Sequence, residues 1–164
     1  MVSLIVHAAL GIAAIVAIVA FNPHVFRRRA TPKVSVLEAV YYLVGIAAIP
    51  LCWHFNIGYV TEYAPGGVHN PIWGPGSWAE FIRLGYANPP AGSNSTDLIF
   101  GNVILLPLFT IIDGRRRGIR QAWLYFVCSL LTSFSFAWAF YLATVERQRR
   151  VTAASPEPEI LKTS

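Results

Sequence analysis

The sequence predicts an all-α integral membrane protein: a bundle of four transmembrane helices with a short amphipathic interfacial helix in the second connection. Three observations lead there. Of 164 residues, 55% are apolar and 13% are charged, against roughly 25% charged in a soluble domain. Four apolar runs, each close to the about 20 residues that cross about 30 Å of hydrocarbon, make residues 1–150 a single domain and leave little for a separate soluble one. Eight of the thirteen Lys and Arg residues fall in two short segments between those runs, Arg27, Arg28, Arg29 and Lys33, then Arg115, Arg116, Arg117 and Arg120. This is the positive-inside pattern. It places both basic hairpins in the cytoplasm of a multi-pass cell-membrane protein, with a bacterial inner membrane expected. It also accounts for the net charge of +5 without nucleic acid, for which no motif is present.

The first span, about residues 2–21, lacks a preceding basic residue and a clear cleavage site, and reads as a retained helix rather than a signal peptide. Ala9, Ala13 and Ala17 recur every four residues and form a small-residue stripe for close helix packing. His7 lies near the outer end.

The second span, about 36–60, contains Pro50, which cannot donate to the carbonyl of Ile46. Glu38 in its first turn suits the helix dipole. Trp53, His54, Asn56 and Tyr59 form a polar and aromatic far tip.

The outer segment, residues 61–96, is rich in glycine and proline yet keeps Tyr63, Trp73, Trp78, Phe81 and Tyr86. Ser77 and Glu80 have capping-box spacing, and Trp78, Phe81 and Ile82 follow a helical period, so a short helix from about Ser77 to Leu84 is expected, stopped by Gly85. The flanks Pro65-Gly66-Gly67 and Asn88-Pro89-Pro90 let the segment fold back over the helix mouths.

The third span, about 97–112, opens at the capping residues Ser95, Thr96 and Asp97. It carries Pro107, and also Asn102, an amide suited to interhelical hydrogen bonding. The turn Asp113 to Gly118 follows, its arginines within reach of anionic headgroups.

The fourth span, about 121–145, has Ser129, Ser133 and Ala137 four apart against an aromatic remainder, which suits helix packing. Residues 151–164 read as a disordered tail. Four spans with both basic hairpins inside put both termini outside, and leave Arg147, Arg149 and Arg150 on the disfavoured side.

Cys52 and Cys128 lie in separate apolar runs without ligand spacing, so neither a disulfide framework, a metal site nor a cofactor is expected. The titratable groups His54, Glu62, His69, Glu80 and Asp97 gather in sequence around the outer segment. An acid and a base there could move a proton on a lipophilic substrate beneath an aromatic cap, and His54, Glu62, Glu80 and Asp97 are the catalytic candidates. No triad, P-loop, zinc or dinucleotide signature accompanies them.

Three pieces of sequence carry a resemblance: the Tyr42-x-x-x-Gly45 helix ending in Pro50, the Asn88-Pro89-Pro90-Ala91-Gly92-Ser93 approach to Asp97, and the Asp113-Gly114-Arg115-Arg116-x-Gly118 turn before Trp123 and Tyr125. From about residue 36 to 150 the chain resembles a bacterial family of small polytopic membrane proteins, domain of unknown function 2834. That family more often has Glu where Asp113 stands, and three spans where this chain adds one in front. The resemblance implies a membrane fold and no reaction.

The leading expectation is therefore a non-enzymatic accessory or scaffolding subunit in contact with the lipid bilayer and a membrane-protein partner, or self-associated. A membrane enzyme acting on an isoprenoid or other lipid is the first alternative. A proton-coupled transporter working as an oligomer is the second, although no mid-span acid supplies its polar path.

Overall fold

The computed structural model describes residues 2–28 and 30–154, and every regular element among them is helical. Arg29, counted in the first basic segment, and residues 155–164 of the C-terminal tail lie outside the described residues. Helix α1 (Val2–Phe21) is followed by one turn, α2 (Pro23–Phe26), and then by α3 (Val36–Tyr63). The short α4 (Trp78–Leu84) precedes a rod built from α5 (Pro89–Ile99), a π-helical segment (Phe100–Leu105) and α6 (Leu106–Arg117). The chain ends in α7 (Leu124–Leu131) and α8 (Phe134–Ala153). Three of these units, α1, α3 and the rod, are long and apolar enough to cross a membrane.

Local chemistry sets the boundaries. The Ser35 side chain accepts from the Glu38 backbone N–H at 3.1 Å and starts α3, which runs on through Pro50. The rod starts earlier than the expected residue 97. Asn88 caps it by accepting from the Ala91 N–H at 2.9 Å, and Pro89 occupies the first turn, where its missing N–H costs nothing. Ser95, Thr96 and Asp97 are therefore helix interior rather than cap. The π segment comes just before Pro107, where the regular ladder must be interrupted in any case. The expected turn at Asp113 is also helical: α6 continues to Arg117 and stops at Gly118, which takes φ +71°.

The expected fourth span is corrected by the structure. Residues 121–145 do not form one helix. Helix α7 ends at Leu131, and α8 begins after Ser133, whose side chain accepts from the Phe136 N–H at 3.0 Å. The two helices are antiparallel, since Tyr125 near the start of α7 meets Thr144 well along α8, with a 2.7 Å hydroxyl hydrogen bond. Tyr125 also packs on Phe140 and Tyr141. The tip of this hairpin lies halfway along the bundle, with Thr132 against Gly11 in the middle of α1 and Phe134 against Gly101 in the rod.

The hairpin is the centre of the molecule. Helix α7 packs on α1 and the rod, α8 packs on α3, and the three long helices meet principally through the hairpin rather than through one another. Close approach is possible because glycines face it: a Cβ on Gly45 would lie 3.2 Å from Ala139 and 3.3 Å from Phe136. Tyr125, Tyr141, Cys128 and Leu106 are fully buried in the resulting core. The outer faces are apolar and open, with Phe55 72% and Leu43 69% exposed, as suits contact with lipid.

On α1 the internal face is Gly11, Ala14 and Ile18. Ala9 and Ala13 are exposed on the other side, and Ala17 is half-buried.

Candidate functional site

Two ends of the bundle differ sharply in charge. Both ends of the α7–α8 hairpin open at the end where α1 finishes and α3 starts. Arg27, Arg28, Lys33, Arg115, Arg116, Arg117, Arg120, Arg147, Arg149 and Arg150 all lie there. Among the described residues only Arg83 carries a basic side chain to the opposite end. The hairpin thus removes the sequence's topological conflict: Arg147, Arg149 and Arg150 share an end with the other arginines instead of opposing them.

Glu38 organises this basic end. Its side chain is wholly buried, and α8 supplies two partners, Arg147 at 3.4 Å and Arg150 in direct contact. The Tyr42 hydroxyl donates to it at 3.2 Å. Arg147 also donates to the carbonyls of Val25 and Phe26 in α2, and Glu146 pairs with Arg150 at 3.7 Å. Beyond serving the helix dipole, Glu38 clamps α8 onto α3. Sequence reasoning missed this role because it put Glu38 and these two arginines on opposite sides of the membrane.

Polar contacts continue along the hairpin. Asp113 accepts from Tyr141 at 2.8 Å and from Arg117 at 2.7 Å. Deeper in, the Ser129 hydroxyl donates to Asn102 at 2.6 Å and so joins α7 to the π segment. Ser133, expected on a continuous small-residue face, instead caps α8.

At the opposite end the connection between α3 and the rod folds back onto α3 and α1. The Ser77 side chain accepts from the Glu80 N–H at 3.3 Å, and Gly85 ends α4. Glu80 returns to the Gly76 N–H at 2.8 Å rather than to that of Ser77. The Tyr59 hydroxyl donates to the Ser77 carbonyl at 2.8 Å, while the Trp78 indole donates to His7 Nε2 at 3.2 Å. These two bonds tie α4 to α3 and α1.

Between the far end of α3, α4 and α5 lies an open groove of about 700 Å³. Of the four catalytic candidates, His54 and Glu62 line it. They stand eight residues apart on α3, about 12 Å along its axis at about 1.5 Å per residue. Glu80 is turned toward Gly76, Tyr59 and Arg83. Asp97 is exposed and lies outside the lining, and His69 is exposed in the loop before α4. The four groups therefore do not converge on one reacting centre. No group of three or more His, Cys, Asp or Glu side chains suited to a metal ion occurs among the described residues.

Three long apolar helices around a polar-anchored hairpin, with apolar exterior faces, define a helical membrane protein. The family described as Protein of unknown function DUF2834 matches residues 40–147, and the chain belongs to that family. No curated protein and no solved structure matches the chain.

Proposed function

We propose that this chain is a non-catalytic accessory or scaffolding subunit of a larger membrane assembly. It crosses the bilayer three times, with α7–α8 as a hairpin that enters and leaves on one side. The arginine-rich end faces the cytoplasm by the positive-inside rule, and the hairpin tip ends at mid-depth. In bacteria this would be the inner membrane.

The observation that carries the subunit reading is the outward face of α1. Ala9 and Ala13 stand exposed there between Ile5, Ile12 and Val16, while the helix packs inward through Gly11, Ala14 and Ile18. A small-residue face left open after the chain has folded is suited to a helix of another chain. The scatter of the acid and base candidates favours a subunit over a membrane enzyme acting on an isoprenoid, and over a proton-coupled carrier.

The test is purification of the tagged chain in mild detergent, with bound proteins counted. A stoichiometric membrane-protein partner, or a defined self-association, that Ala13→Leu abolishes is expected. A purified chain that is monomeric and turns over a lipid by itself would sink the reading.

A further inference from the structure

The groove at the end opposite the arginines has a chemical character that the subunit reading does not use. Glu62 lines it and no lysine or arginine does. Aromatic rings line the groove with Glu62: Tyr59 lies 5.4 Å from Tyr63 and 5.2 Å from Phe81, centroid to centroid. A carboxylate next to aromatic faces attracts an ammonium group. Asn94 and Tyr86 also line the groove, and an amide and a phenol are hydrogen-bond donors suited to a phosphate. Deeper in, Phe55, Leu98 and Ile99 make the lining apolar. Phe55 is seven residues below Glu62, about 10 Å along the helix. Anion, rings and donors, with hydrocarbon below, reproduce, in complement, the profile of a zwitterionic phospholipid.

We propose that this groove holds phosphatidylethanolamine from the adjacent leaflet. Its ammonium sits against Glu62 and the Tyr59, Tyr63 and Phe81 rings, its phosphate faces Asn94 and Tyr86, and the upper part of one acyl chain runs past Phe55 and Leu98. The volume lies within the about 300–1,000 Å³ of ligand sites. Ethanolamine is favoured over choline because a primary ammonium donates hydrogen bonds to a carboxylate, whereas a quaternary one has none to give. An anionic lipid would set its net charge beside Glu62, while the arginine at this end, Arg83, is paired with Glu80 at 3.6 Å. The proposal rests on the chain spanning a bilayer, not on its being a subunit, so failure to find a protein partner leaves it intact.

The experiment reconstitutes the full chain into nanodiscs of equal phosphatidylethanolamine, phosphatidylcholine and phosphatidylglycerol, releases it into mild detergent, and identifies retained lipid by native mass spectrometry. Phosphatidylethanolamine is expected in excess over the other two, and Glu62→Gln is expected to lower its retention about five-fold, the scale of an exposed ion pair. Leu98→Trp, which fills the apolar wall and leaves the charge in place, should lower it as well. Equal retention of the choline or glycerol lipid overturns the assignment. So does ethanolamine-lipid retention that survives both substitutions, which would locate that lipid elsewhere on the chain.

Discussion

Asn22, one residue past the end of α1, grips both sides of the Arg120 peptide unit. Its side-chain oxygen accepts from the Arg120 N–H at 2.7 Å, and its amide donates to the Arg120 carbonyl at 3.0 Å and to the Ile18 carbonyl at 2.8 Å. Wholly buried, it joins the first basic connection to the second. Asn22→Ala leaves buried backbone groups without partners and should cost about 2–4 kcal/mol. Asn22→Asp, which sets a carboxylate oxygen against the Ile18 and Arg120 carbonyls in a buried site, should cost at least as much. Thermal unfolding in detergent checks both, and an unchanged midpoint for Asn22→Ala would contradict the assignment.

The Glu38 clamp makes a second prediction. Removing one member of a buried ionic group strands its partners, so Glu38→Ala should destabilise by about 3–5 kcal/mol. The Arg147 and Arg150 variants should each be non-additive with it in a double-mutant cycle. Strict additivity would mean that α8 is held by apolar packing alone.

The hairpin is tested by sidedness. In a chain cleared of Cys52 and Cys128, cysteines placed at Arg116 and Arg149 should be labelled from the same side of sealed vesicles, and one at Glu62 from the other. Labelling of positions 116 and 149 from opposite sides would restore a fourth crossing and remove the hairpin.

Two glycines of one helix give an internal control. A Cβ at Gly45 meets Ala139 and Phe136, whereas at Gly58 there is nothing within 4 Å. Gly45→Ala should destabilise by about 1–3 kcal/mol through overpacking. Gly58→Ala should be neutral, or stabilising by up to about 1 kcal/mol from helix propensity. Matched effects at the two sites would place α8 somewhere other than against α3.

A third glycine isolates backbone strain. Gly118 has φ +71° and open space around it, so Gly118→Ala should cost about 1 kcal/mol for conformation alone. Gly118→Asn should cost less, because asparagine enters the left-handed region more readily. Equal losses from the two would point to a steric cause.

Apolar length and capping chemistry made α1, α3 and α4 legible in the sequence, down to Ser77 and Gly85 at the ends of α4. The rod was placed but started too late, because Asn88-Pro89-Pro90 serves equally as a turn and as a cap followed by first-turn prolines. The hairpin was hidden because hydropathy counts apolar residues and is blind to a reversal of direction. Its trace was the charge conflict at Arg147, Arg149 and Arg150, which vanishes once the segment turns at Thr132 and Ser133. His54 and Glu62 both line the groove, although Glu62 reads from the sequence as part of the connecting segment rather than of α3. Glu80 turns to Gly76 and Tyr59, and Asp97 lies outside the groove lining, because sequence proximity does not fix which way a side chain faces.

Because the three long helices meet principally on α7 and α8, the order of synthesis acquires a meaning. The three long helices have been made by residue 117, but the piece that holds them together is made after them. Until it arrives, the earlier helices are tenants of the same membrane without a common wall. A ribosome stalled before Gln121 would leave them unassembled, and maturation of this protein therefore waits on α7 and α8.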